Sequence, residues 1–140
     1  MARTPFRVEI LTPEGATFDE EVEMISTRTT TGSIGILARH QPLLGMLEPT
    51  ELKLYRSESD IVRYAQGEGY IQVSGEGVLV LVEEAHEPDA LDVADLREKL
   101  RKAEDDYSKA EAHTEEQRTA ARDKRRWEAF LRIAEGGSAG

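Results

Sequence analysis

Residues 77–100 read Gly77-Val78-Leu79-Val80-Leu81-Val82-Glu83-Glu84-Ala85-His86-Glu87-Pro88-Asp89-Ala90-Leu91-Asp92-Val93-Ala94-Asp95-Leu96-Arg97-Glu98-Lys99-Leu100, and two hydrophobic periods meet inside them. Val78 to Val82 is apolar at every position, as in a strand buried on both faces and set centrally in a sheet. Beyond Glu87-Pro88, Val93, Leu96, Leu100, Ala103, Tyr107 and Ala110 recur at alternating steps of three and four, and no glycine or proline occurs from Asp89 to Glu135. That is the seam of a coiled-coil-like helix. The junction divides the chain into a strand-bearing part, residues 1–87, and a helical part, residues 88–140, so the fold class is α+β.

Upstream, Phe6, Val8 and Ile10 alternate with Arg7 and Glu9, the period-2 signature of a half-buried strand, and Thr12-Pro13-Glu14-Gly15 supplies a turn. Further strand-like pieces are Val22 to Arg28, Leu52 to Arg56, Ile61 to Ala65 and Tyr70 to Val73. The clusters Ser57-Glu58-Ser59-Asp60, Gln66-Gly67-Glu68-Gly69 and Ser74-Gly75-Glu76-Gly77 read as hairpin turns. Many short strands with frequent turns predict an antiparallel two-sheet sandwich.

Downstream, Asp89 or Asp92 can cap the first helix, since a carboxylate accepts orphan N–H groups and suits the positive end of the dipole. Near His113 the pattern restarts. Thr114 with Gln117 three residues later has capping-box form and predicts a second helix from about Glu115 to Glu135, ended by Gly136-Gly137, with a short disordered tail. The two helices should fold back as an antiparallel hairpin. Its second seam, Gln117, Ala120, Lys124, Trp127, Leu131 and Ala134, is partly polar. At about 25 cal/mol per Å² of apolar surface, such a pair is weakly held and depends on docking elsewhere.

Charge and composition exclude several classes. The 140 residues carry a formal net charge of -10, which disfavours nucleic acid and anionic membranes as partners. Cysteine is absent, so thiol chemistry and disulfides are excluded. No apolar stretch is long enough for a signal peptide or a membrane span, which predicts a soluble, cytoplasmic chain without direct membrane insertion. The second helix is locally basic: Arg118, Arg122 and Arg125 or Arg126 are spaced to share one face, a place to engage an acidic partner.

An enzyme has little to rest on. His40, His86 and His113 fall in three different elements without metal-ligand spacing, no phosphate loop occurs, and Ser74 lacks a nucleophile-elbow context. Neither metal nor cofactor is expected.

One further segment stands out, Gly32-Ser33-Ile34-Gly35-Ile36-Leu37-Ala38-Arg39-His40-Gln41-Pro42-Leu43-Leu44-Gly45-Met46-Leu47-Glu48-Pro49. Its glycines permit tight geometry and Pro42 fixes the entry to a second apolar run. Read by itself it fits a buried loop. Together with Glu68-Gly69-Tyr70-Ile71-Gln72-Val73 and the order of sandwich then hairpin, the chain resembles the ε subunit of the F-type, proton-translocating ATP synthase. In that family the two segments usually read G-x-x-G-I-L-P-x-H-x-P-L-L and G-G-x-x-x-V. Ala38 departs where the family often has proline, and Glu68 where it often has the first glycine.

The resemblance implies a non-catalytic rotor subunit of the central stalk, peripheral on the cytoplasmic face of the energy-transducing membrane. It implies γ as a partner near His40, Pro42 and Leu43, and the c-ring at the loop Thr29, Thr30, Thr31, Gly32 and Ser33. The helical hairpin would reach the catalytic α/β subunits and block ATP hydrolysis, with Arg118, Arg122, Arg125 and Arg126 as the inhibitory basic face. Some members also bind ATP through I/L-D-x-x-R-A. Here the motif begins at Leu91-Asp92 and fails at Asp95 and Leu96, and an aspartate repels phosphate where arginine would hold it, so ATP binding should be weak or absent. The competing reading is a free-standing sandwich adaptor that dimerises through a coiled-coil tail.

Overall fold

The structure, a computed structural model, describes residues 3–136; the tail expected beyond Gly136 lies outside them. Ten strands precede two helices: β1 Phe6–Thr12, β2 Gly15–Val22, β3 Met24–Thr29, β4 Gly32–Ile36, β5 Leu43–Leu47, β6 Thr50–Tyr55, β7 Ile61–Gln66, β8 Gly69–Ser74, β9 Gly77–Val82, β10 Ala85–His86, α1 Val93–Lys109 and α2 Glu115–Ala134. A single 3₁₀ turn, Pro88–Ala90, joins the two parts. The α+β class and the sandwich-then-hairpin order are as expected.

The strands form one continuous path, β10-β7-β6-β3-β5-β8-β9-β1-β2, with β4 added on β3. It folds into two layers around one core. The join is the bridge Thr29↔Leu47 between β3 and β5. Val8, Ile10, Ile25, Ile36, Leu52, Leu54, Ile71 and Val80 are fully buried between the layers. Pairing is antiparallel throughout except for β1 and β9, which run parallel with Val8↔Val78 and Ile10↔Val80. A buried polar tie crosses the interior: Thr27 Oγ1 donates to Gln66 Oε1 at 2.9 Å, and Gln66 Nε2 donates to the Glu48 carbonyl at 2.8 Å.

Two turns separate cleanly. Gly75-Glu76 is a hairpin turn between β8 and β9, and Gly77 closes it at φ +135, a conformation L side chains rarely adopt. Gly67-Glu68 is not one: it carries the chain from β7, paired with β6 and β10, to β8 in the other layer, paired with β5 and β9. Gly69, at the start of β8, faces the β9 backbone so closely that a Cβ there would overlap the Leu81 carbonyl. Gly69→Ala must push the two strands apart, and the loss expected is about 2–3 kcal/mol, read as a lowered urea midpoint.

The helices follow their local signals. Asp92, not Asp89, caps α1, its side chain accepting from the Asp95 N–H at 3.2 Å. Thr114 caps α2, accepting from the Gln117 N–H at 3.2 Å, and Gln117 Oε1 reaches back one residue past the cap to accept from the His113 N–H at 2.9 Å, so only the forward half of the capping box is made. Gly136 ends α2 at φ +86. Between the helices, Leu96, Ala103 and Ala120 are buried, with Lys99 Nζ 4.8 Å from the centre of the Trp127 ring.

A second face of α2 packs on the sandwich. Phe130 and Ile133 bury against Ala65 and Leu96, with Leu91, Trp127, Leu131 and Ala134 around them. The weakly sealed hairpin thus finds its docking surface within the same chain. No helix among the described residues is long and apolar enough to cross a membrane.

Candidate functional site

The segment 32–47 makes two strands rather than a loop. β4 pairs with β3 through Ile25↔Ile36 and Thr29↔Gly32, leaving Thr30-Thr31 as a tight turn with Gly32 at φ +131. Thr29 is buried, and its hydroxyl is consumed locally: it donates to the Gly32 carbonyl at 3.1 Å and accepts from the Thr31 N–H and the Thr31 hydroxyl at 3.2 and 2.9 Å. Thr30, Thr31 and Ser33 remain exposed at the tip. Of the five residues expected in this loop, Thr29 therefore builds the turn and the others present it.

His40 follows the turn at Leu37 to His40, in which Arg39 takes φ 65. The half-buried imidazole donates from Nδ1 to the Gln41 carbonyl at 2.8 Å. Pro42 is exposed. Leu43, by contrast, turns inward and packs on the core.

That parity sends Leu44 and Met46 outward, 73% and 54% exposed. The register extends them into a sheet-wide surface. One row runs Met46↔Tyr70↔Leu81↔Leu11, the next Leu44↔Gln72↔Leu79↔Glu9, on the outer face of β5, β8, β9 and β1. Tyr70 and Leu81 are 52% and 43% exposed. β9 is central in its layer, but its outer face is uncovered by the chain itself. Apolar residues on both parities of Leu43–Leu47 and Val78–Val82 carried this signal. A contiguous apolar surface of this kind marks a partner site.

On α2, Arg118, Arg122 and Arg125 are exposed. Arg126 is not part of that open face. Its side chain is 12% exposed and lies against the sandwich, paired with Glu68 and, from Nη1, with Glu84 Oε2 at 2.8 Å. Helical period aligns Arg126 with Arg122, but the sandwich begins beneath the helix at that turn. Leu91 packs beside Phe130 and Asp92 is spent as a cap, so the start of the degenerate nucleotide motif has structural duties. Among the described residues no three His, Asp or Glu side chains are grouped to hold a metal.

The family described as "ATP synthase, Delta/Epsilon chain, beta-sandwich domain" matches residues 5–88. The chain is 36% identical over 130 residues to the ATP synthase epsilon chain of Persephonella marina, covering 92% of this chain and 96% of that one. With the epsilon chain of Clostridium novyi it shares 35% identity over 109 residues, 78% of this chain and 82% of its relative. In fold it is similar to a chain of the Euglena gracilis mitochondrial ATP synthase assembly of OSCP, F1 and c-ring, with TM-score 0.77 and 20% identity over 90% of this chain and 79% of that one. The chain belongs to the δ/ε-chain family of ATP synthases and, within it, stands with the ε chains, non-catalytic subunits of that complex.

Proposed function

We propose that the chain is a rotor subunit of the central stalk, peripheral on the cytoplasmic face of the energy-transducing membrane, with the labour divided at Glu87-Pro88. The sandwich, residues 1–87, docks on γ through the outer face of Met46, Tyr70, Leu81 and Leu11, with His40 and Pro42 at its margin. The exposed tip Thr30, Thr31, Gly32 and Ser33 meets the polar loops of the c-ring; its hydroxyls offer donors and acceptors without a charge. The helical part, residues 88–140, regulates: Arg118, Arg122 and Arg125, joined by Arg126 once released, engage acidic residues of the catalytic α/β subunits and suppress ATP hydrolysis.

The observation that carries this reading is the open apolar row on a sandwich of the ε-chain family. A chain similar in fold, at TM-score 0.59 and 19% identity over 96% of this chain and 99% of that one, belongs to a Tetrahymena thermophila mitochondrial ATP synthase structure described as central stalk and c-ring. A dimerising adaptor fits less well, because the α1 seam that would join two copies packs on α2 of the same chain.

The test is ATP hydrolysis by a catalytic hexamer carrying γ, titrated with the full chain, with a chain ending at Glu87, and with the variant Arg118→Ala, Arg122→Ala, Arg125→Ala, Arg126→Ala. Suppression by the full chain alone is expected, with the fourfold variant relieving at least half of it. Equal hydrolysis under all three additions, each shown to bind, would make the hairpin a passive appendage.

A further inference from the structure

Glu68, which stands where the resembling family often has glycine, reaches across to α2. The Arg126 guanidinium lies over the Gly67 backbone: a Cβ on Gly67 would sit 3.6 Å from Arg126 Nε and 3.3 Å from Glu84 Cγ. Glu68 and Glu84 flank it, 23% and 24% exposed, and both strands of this corner are pinned by backbone bonds, Gly67 N–H to the Glu84 carbonyl at 2.8 Å and Glu83 N–H to the Glu68 carbonyl at 3.1 Å. His86 Nε2 donates to the other Glu84 oxygen at 2.7 Å. The sandwich thus presents a built, rigid acidic pocket to one arginine of the hairpin.

The group is only partly satisfied. Arg126 Nη1 has a directed bond to Glu84 and Nη2 is ion-paired with Glu68 Oε1, whereas Arg126 Nε and Glu68 Oε2 are buried without a hydrogen-bond partner. Burial pulls the Arg126 guanidinium below its ordinary pKa, the mark of charge taken out of water. A half-satisfied buried ion group adds little net stability, yet removing one member leaves an uncompensated charge. It biases a choice between two packings rather than cementing one.

The geometry points to an intramolecular clasp: Glu68 and Glu84 act as a decoy acidic partner for Arg126, holding the hairpin on the sandwich and keeping this arginine from any other acidic surface. Docked and partner-engaged hairpins are then mutually exclusive, since one guanidinium cannot serve both. This rests on the reading of α2 as the regulatory element.

The chain has no cysteine, so spin labels on Glu58→Cys and Ala112→Cys, both exposed, report the hairpin tip relative to the sandwich in the otherwise intact chain. One docked distance is expected for the parent. Glu68→Gln and Arg126→Met should each raise the fraction at longer distances roughly tenfold, and Arg126→Lys should restore most of the docked form. Salt at about 1 M, where the Debye length is roughly 3 Å, should open the parent but not Arg126→Met. An apolar contact alone would not open with salt. Should Arg126→Met fail to fold, Glu68→Gln, which conserves volume, decides. Parent-like distances in Glu68→Gln and no response to salt overturn the clasp. Opening without any change in suppressed hydrolysis leaves the clasp standing and overturns the regulatory reading instead.

Discussion

Phe130→Ala is expected to release the helical hairpin while leaving the sandwich folded. Phe130 is 1% exposed and the largest fully buried side chain. Its ring meets Trp127 edge-on at 5.9 Å and His86 at 6.0 Å, so it joins α2 to itself and to β10 at one point. A buried Phe→Ala change costs about 3–5 kcal/mol, cavity included. The seam between the helices offers little reserve, since its buried members beyond Leu96 are Ala103 and Ala120. The sandwich core between Val8, Ile10, Ile25 and Ile71 does not include Phe130. Two observables follow. The single tryptophan, Trp127, should shift its fluorescence toward the water-exposed value well before the sandwich melts in urea. Amide exchange should accelerate across residues 93–134 with β1, β8 and β9 still protected. One cooperative transition for the whole chain, at a midpoint close to the parent's, would mean that the hairpin is not a separable unit.

What was legible in the sequence was local chemistry. The cap at Thr114 and the stop at Gly136 involve groups a few residues apart, and α2 begins and ends within a residue of where those signals put it. Strand membership was harder because it is decided by distant neighbours. β2 holds only Phe18 and Val22 buried among Asp19, Glu20 and Glu21, as suits an edge strand whose charges discourage further pairing. Glycines at 32, 35 and 45 masked β4 and β5, although Gly45 sits against Ile71 and Thr29 in ordinary contact.

The burial of Leu43 and Arg126, unforeseen in the sequence, has the same origin. Leu43 and Leu44 are chemically identical neighbours, and only the register with Val73 and Gln72 settles which one faces out. Likewise, helical period groups Arg126 with Arg118 and Arg122 but does not say where along α2 the sandwich ends. A run apolar on both parities, as in Val78 to Val82, reports that two faces need partners. It does not report that both partners lie in the same chain.

Tyr70→Asp carries the other large effect, on assembly rather than folding. Tyr70 occupies the middle of the outer row between Met46 and Leu81, at a position half open to solvent, so an aspartate there stays hydrated in the free chain and the sandwich should keep its stability within about 0.5 kcal/mol. In a complex with γ the same carboxylate would be enclosed by apolar surface. Losing an aromatic anchor costs about 2–4 kcal/mol and burying an unpaired charge adds to it, so affinity for a γ-bearing catalytic hexamer should fall at least roughly 100-fold. Ser59→Asp, which adds the same single negative charge at the exposed β6–β7 turn, should leave affinity unchanged within about twofold and serves as the control. The neighbours supply a finer check: Met46 and Leu81 stand directly opposite Tyr70 in register, so the effects of Met46→Ala and Leu81→Ala on affinity should be less than additive with Tyr70→Ala. Unchanged affinity for Tyr70→Asp would move the γ contact off this face, to the margin at His40 and Pro42, and the open apolar row would then require a different partner.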